Sequence, residues 1–256
     1  MSLDETLNLF DPISLSEMDG YEFMNRTDTK FVFPSKRLPV LLSRISTEYR
    51  ILEISHKRDF PYSSTYMDTP EHLFFCQHMR GIPKRYKVRY RVYETTGQSY
   101  LEVKYRSIKD RTIKWRIKNE FNNSNPDEKA LNFLSSYIQD VAYSIEPALT
   151  NRFQRITLVG INTKERITFD HNILFSDKGN SLIELPYLAI AELKREGHSG
   201  QSPFLSTLKE MMIRSSGFSK YCVGSALLKA MPKANLIKPK MLLLQKIQNE
   251  NVIHTA

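Results

Sequence analysis

Three neighbouring segments constrain this chain most: "YKVRYRVY" (86–93), "YLEVKYRS" (100–107) and "TIKWRIKNEF" (112–121). Each alternates with period two, and in an extended strand residues i and i+2 share a face. Lys87, Arg89 and Arg91 therefore lie opposite Tyr86, Val88, Tyr90 and Val92. Glu102, Lys104 and Arg106 oppose Leu101, Val103 and Tyr105, and Lys114, Arg116, Lys118 and Glu120 oppose Ile113, Trp115, Ile117 and Asn119. "ERITFDH" (165–171) and "AIAELKRE" (189–196) repeat the pattern, with Arg166, Thr168, Asp170, Glu192 and Lys194 on their polar faces. A half-exposed sheet explains any one such strand. Five together gather cations on adjacent strands, and two like charges about 4 Å apart repel by roughly 4 kcal/mol at an effective dielectric near 20. The carboxylates on these faces offset part of that. A bound polyanion would offset the rest.

Further strands are expected at 21–33, 51–56, 60–67 and 151–159, and several links are short: "TTG" at 95–97, "IKD" at 108–110 and "GINTK" at 160–164. Short links join antiparallel neighbours. Helix starts are marked at Thr69-Pro70 (with Gly81 past the end), at Asn125-Pro126, and at Ser202-Pro203 (with Gly217 beyond). A fourth helix is expected around Pro39, and a fifth in "KYCVGSALLKAM". The expected class is α+β: a closed, mostly antiparallel barrel with a charged lumen, flanked by several helices. Residues 1–230 read as one tunnel domain and 231–256 as an extension in which "MLLLQKIQ" can form a helix.

Lys and Arg number 37 against 28 Asp and Glu, a net charge of +9, which favours anionic partners without choosing among them. Cys76 and Cys222 stand far apart, without the spacing of a cysteine zinc site or a disulfide framework. No apolar run approaches the ~18 residues needed to span a bilayer. The N-terminus lacks the charge and apolar core of a secretory signal. The expectation is a soluble, cytoplasmic protein. The aromatics of 86–93 and Tyr105 are read as lying opposite the cations, which suits phosphate without base stacking and disfavours nucleic acid.

"RTDTKFVF", "KVRYRVY", "YLEVKYR", "RTIKWRI", "RFQRITL", "ERITFD", "AIAELK" and "GFSKYC", in that order, resemble the motifs of the VTC domain, the polyphosphate-polymerase branch of the triphosphate tunnel metalloenzymes. The resemblance runs from about Tyr21 to Leu228, and its specificity lies in the order of the eight motifs. It implies that Arg89, Arg91, Lys104, Arg155 and Arg166 act catalytically as a phosphate clamp. Lys30, Lys114, Arg116, Lys194, Ser219 and Lys220 would bind substrate. Glu192, with Glu102 as a possible second ligand, would hold Mn²⁺ or Mg²⁺. For Glu102 a salt bridge to a neighbouring cation is the stronger reading. Related triphosphatases carry ExExK on their first strand. Here the places read Arg26, Asp28 and Lys30, which inclines the reading to the VTC branch and puts a metal site on that strand in doubt.

The implied function is transfer of the terminal phosphoryl group of ATP, or another nucleoside triphosphate, to inorganic polyphosphate. A separate membrane protein is a possible partner. A triphosphate or polyphosphate hydrolase and a non-catalytic polyphosphate or nucleotide sensor stay open, as do the acceptor, chain length, metal identity and oligomeric state.

Overall fold

The computed structural model describes residues 1–18, 26–108, 111–122, 124–179, 181–196, 201–229, 231–232 and 234–252. The expected strand residues 21–25, the last two residues of the link at 108–110, and residues 253–256 of the extension lie outside them.

The chain is mixed α+β around one large antiparallel sheet. Its strands are β1 (Pro12–Ile13), β2 (Arg26–Pro34), β3 (Tyr49–Leu52), β4 (Phe60–Asp68), β5 (Arg85–Tyr93), β6 (Gln98–Arg106), β7 (Thr112–Lys118), β8 (Glu146–Gly160), β9 (Glu165–Ser176), β10 (Leu182–Leu185) and β11 (Leu188–Glu196). The main path is β2-β11-β9-β8-β4-β5-β6-β7; β3 pairs with β8, β10 with β9, and the short β1 runs parallel to β3. The links that looked like tight turns do join antiparallel neighbours: β5 to β6, with Gly97 at φ +66°, β6 to β7, and β8 to β9.

Among the described residues seven α-helices accompany the sheet: α1 (Leu3–Leu7), α2 (Leu38–Ile45), α3 (Leu73–Met79), α4 (Glu128–Ile138), α5 (Pro203–Glu210), α6 (Lys220–Leu228) and α7 (Lys238–Val252). Two begin later than the Pro-based signals predict. Thr69 precedes α3 by a turn, its hydroxyl accepting from Leu73 N, and the N-cap of α4 is Asp127, whose carboxylate accepts from Ala130 N and from the Asn119 amide. Capping follows the side chain that reaches the free N–H groups, and Asp127 reaches them where Asn125 does not. Ser202 caps α5 as expected, accepting from Leu205 N.

Helices cover the apolar outer face of the sheet. Leu41, Leu42 and Ile45 of α2 and Phe204 and Leu208 of α5 pack in one cluster with Phe31 and Phe33 (β2), Ala191 and Leu193 (β11), Phe169 (β9) and Ile156 (β8). Ala130, Leu134 and Ile138 of α4 cover Val88, Tyr90, Leu101 and Val103. At one end a third cluster turns inward: Val32, Ile190, Leu149 and Tyr66 pack with Phe75 of α3 and Tyr221, Cys222 and Val223 of α6, and stopper the charged face there. Close approach sets α6, because a Cβ on Gly224 would lie 2.5 Å from a Phe175 ring carbon. Leu244 and Ile247 of α7 join this cluster, so the C-terminal extension is helical and packs on the body.

The barrel is not closed by a strand ladder. Among the described residues β2 and β7 are the ends of the path. The outer edge of β2 is taken by the segment after α5: Ser215 bridges to Phe31, and Ser216 N donates to Lys30 O at 2.8 Å. An edge already hydrogen-bonded cannot add β7 as a second neighbour at those positions.

Candidate active site

The register brings the predicted charges onto one face. Lys87 lies opposite Lys104, Arg89 opposite Glu102, and Glu102 and Lys104 opposite Arg116 and Lys114. On the other limb Lys30 pairs with Glu192, Glu192 with Thr168, Lys194 with Arg166, and Asp170 with Arg155. The sheet curls so that the two limbs act on each other: burial lowers the pKa of Lys30 on β2, and Arg106 across the sheet on β6 lowers it a little further. All the cations expected at the site thus belong to one concave face, with Lys220 entering from α6.

On the β8–β9 limb Arg155 and Lys220 both have a carboxylate partner. Arg155 donates Nε and Nη2 to the two oxygens of Asp170 at 2.6 and 2.8 Å, a bidentate pair, and Lys220 Nζ donates to the same carboxylate. Burial would raise the Asp170 pKa, but Arg155 and Lys220 overcome it and hold the carboxyl well below the usual range. Burial brings Lys220 down to about 8, against the pull of Asp170. Glu192 is met by Lys30 at 3.0 Å and by Lys194, which also reaches Asp28 at 3.4 Å.

The β5–β6 limb is not neutralised. Glu102, fully buried, accepts from Arg89 Nε at 2.7 Å and pairs with Lys114. Arg91 makes one long bond to the Ser64 hydroxyl at 3.4 Å, and burial and its neighbours Arg89 and Arg155 bring its pKa to about 10. Lys104 is depressed well below the lysine value, first by Arg89, then by burial, Arg91 and Lys87. Burial lowers Lys87 as well. Arg89, Arg91, Lys104 and Lys114 here share one carboxylate.

Ser219, expected to bind substrate, caps α6 by accepting from Cys222 N and so aims Lys220 at Asp170. Both expected metal ligands are held by cations: Glu102 by Arg89 and Lys114, Glu192 by Lys30 and Lys194. Among the described residues no group of three His, Cys, Asp or Glu side chains stands together. These donors do not fit a free divalent cation, because each carboxylate already faces two positive groups.

Sequence parity missed three things. Tyr93 shares its face with Arg91, and the β4 residues Tyr62, Ser64 and Tyr66 lie on it too, opposite Tyr93, Arg91 and Arg89. The charged face therefore carries aromatics, against expectation. Tyr62 packs on Tyr93 and Phe153 at 5.1 and 5.6 Å between ring centres, Tyr93 meets Tyr100 at 5.9 Å, and Arg91, Arg155 and Arg116 lie over these rings. A plain count of i, i+2 from Arg91 would have found Tyr93. Phe153 sits beside a register shift in β8 that no alternation reveals. Third, buried Asp68 ends β4 by accepting from Phe74 N, Phe75 N and the Tyr221 hydroxyl, and so ties α3 and α6 to the sheet.

An open depression of about 450 Å³ lies elsewhere, beside α2 and α5. It is lined by Lys36, Arg37 and Arg44 against the single acid Glu210: Arg44 pairs with Glu210, Arg37 donates to the Met211 carbonyl and Lys36 to the Glu250 carbonyl. No helix among the described residues is long and apolar enough to cross a membrane.

The family model of the VTC domain matches residues 25–229. No curated protein sequence matches the chain. Solved structures with similar architecture include a candidate adenylate cyclase from Vibrio parahaemolyticus (13% identity, TM-score 0.46, covering 78% of this chain and 99% of that one). Another is a candidate adenylate cyclase from Bacillus halodurans (14%, TM-score 0.48, 77% and 96%). A third is a candidate adenylyl cyclase from Hippeastrum described as having a dominant triphosphatase activity (16%, TM-score 0.47, 82% and 98%).

Proposed function

Because the chain belongs to the VTC domain family, we propose that it moves the terminal phosphoryl group of a nucleoside triphosphate, ATP in the first instance, onto a polyphosphate chain held on its basic concave face. One observation carries this reading: Arg89, Arg91, Lys104 and Lys114 crowd around the single carboxylate of Glu102, Lys87 stands opposite Lys104, and Lys104 is depressed chiefly by Arg89. Such a face is electrostatically complete only with an anion on it.

Phosphoryl transfer asks the protein for positioning and charge stabilisation more than for covalent chemistry. Arg89, oriented by Glu102, and Arg91 would grip the donor phosphates through their planar forks. Lys104 and Lys87 would offset the charge that develops between donor and acceptor. Arg155 and Lys220, ordered by Asp170, would steady the opposite side, with Lys30, Lys114, Arg116, Arg166 and Lys194 along the path of the chain. The Tyr62–Tyr93–Tyr100 group beside Arg91 offers rings for the base of the nucleotide. Closure of the tunnel belongs to the same proposal, with the polyanion bridging the β2 and β7 limbs across the edge that Ser215 and Ser216 occupy, without a strand ladder between them. A divalent metal is proposed only as a companion that arrives with the triphosphate, and no step above passes through it. A cytoplasmic setting and a separate membrane-protein partner complete the reading.

The test is incubation with ATP across a Mn²⁺ and Mg²⁺ series, with products resolved on a gel. Long polyphosphate is expected. Free phosphate without polymer replaces this reading with a hydrolase. Neither product, together with tight tripolyphosphate binding, replaces it with a sensor.

A further inference from the structure

Tyr66 belongs to none of the charge pairs, yet it stands where the charged face meets its apolar stopper. Its register partner is Arg89. Lys87 Nζ lies 4.6 Å from its ring centre, and its ring packs on Tyr221 at 5.2 Å. Tyr221 is itself anchored by donating to Asp68 at 2.5 Å, so the Tyr66 ring has a fixed floor. We propose that the Tyr66 phenol contacts the bound phosphate chain, donating a hydrogen bond to a phosphate oxygen held among Lys87, Arg89, Arg91 and Lys220. This rests on the reading of the face as a phosphate site.

The surroundings of the phenol are positive from every side that carries charge. β5 contributes Lys87, Arg89 and Arg91, α6 contributes Lys220, and β2 contributes Lys30. From α3, Phe75 packs in the same cluster, and His78 is near Lys87, with burial and that lysine lowering its pKa to about 4, so it is neutral. The facing acids are already engaged: Asp68 by Tyr221, and Asp170 by Arg155 and Lys220. Burial alone would raise the Tyr66 pKa, but Lys87, Arg89, Lys220 and Arg91 outweigh it and bring the phenol to about 8.

Above about pH 8 the empty site therefore holds a phenolate. A polyanion reverses the local field. A phenolate beside phosphate oxygens is repelled, so the oxygen takes a proton from solvent and becomes a donor. Binding above about pH 8 should then be coupled to uptake of one proton, with no bond in the substrate made or broken.

Tyrosinate ultraviolet absorbance reads this directly. Lys220, which also titrates near 8, does not absorb there. Burial raises the buried Tyr49, Tyr62, Tyr90 and Tyr221, which stay protonated longer. The intact chain and Tyr66→Phe are titrated with and without tripolyphosphate, and calorimetry follows binding at neutral pH. One tyrosinate with a midpoint near pH 8 is expected in the intact chain and absent in Tyr66→Phe. Tripolyphosphate should move it up by about a unit or more, and Tyr66→Phe should bind tripolyphosphate roughly tenfold more weakly, the scale of one charge-assisted hydrogen bond. Identical titrations, wild-type affinity in the variant, or a midpoint that stays in place while calorimetry shows binding would each overturn the proposal. Tripolyphosphate that does not bind the intact chain at all overturns the phosphate reading as well, so the two failures are told apart.

Discussion

The two limbs of the concave face carry similar residues in opposite electrostatic states. On β8, β9 and α6, one carboxylate sits between two cations, and Asp170 binds both Arg155 and Lys220. On β5, β6 and β7, Arg89, Arg91, Lys104 and Lys114 share Glu102, and Lys104 is pushed far from its ordinary pKa. The first arrangement is satisfied within the protein and holds α6 to the sheet. The second carries cations in excess of its carboxylate. Charge count along the chain does not separate the two; the partner opposite each cation does.

The largest effect that can break this contrast comes from the satisfied limb. Asp170→Asn leaves Arg155 and Lys220 buried without their shared anion, and removing one partner of a buried charge network costs about 3–5 kcal/mol. Denaturant unfolding should show that loss. A loss below about 1 kcal/mol would mean that the pair is not structural. Next comes Arg91→Ala on the other limb. Turnover of ATP should fall roughly 100-fold, about 2.7 kcal/mol of lost charge stabilisation, with stability unchanged or raised. A variant that unfolds more easily would show that Arg91 has a structural anion after all.

Lys104→Met sharpens the comparison with a smaller effect of opposite sign. It removes a cation crowded by Arg89, Arg91 and Lys87 while keeping an unbranched apolar stem. The empty protein should gain about 1 kcal/mol in denaturant unfolding. It should also lose part of the stabilisation that tripolyphosphate gives, which for the intact chain is about 2.7 kcal/mol at a hundredfold excess over Kd. Destabilisation of empty Lys104→Met would place Lys104 with the satisfied limb.

The sequence shows the parity of each strand well, because side-chain direction in a strand is local. From Lys87, Arg89 and Arg91 opposite Val88 and Tyr90, the core face and the charged face both follow. What is local stops there. That Arg155 meets Asp170, and Lys220 joins them from α6, depends on register and on the close seating of Gly224 against Phe175. That β2 and β7 do not pair depends on Ser215 and Ser216 taking the β2 edge, a contact across most of the chain. The aromatic members of the face were half legible: Tyr93 by counting, Phe153 not, since β8 shifts register beside it. Ser219 reads as a binding residue by family motif and as a helix cap by its own hydrogen bond.

The smallest test uses pH alone and turns on sign. Lys220 has a folded pKa of about 8, lowered first by burial, against about 10.4 for an unfolded lysine. Between those values the unfolded chain holds a proton that the folded one has released, so the stability of the empty protein should rise with pH across that window. Lys104, also depressed, adds to the same slope. Tyr66 adds to it too: its phenol, lowered to about 8 against about 10 when unfolded, releases its proton first in the folded state. Urea midpoints of the empty protein should therefore climb from pH 8 towards pH 10. With tripolyphosphate bound the slope should flatten, because the anion restores both ammonium groups and the phenol proton. A slope that is absent without ligand, or unchanged by it, would mean that the face around Lys104, Tyr66 and Lys220 carries no excess positive charge for an anion to relieve.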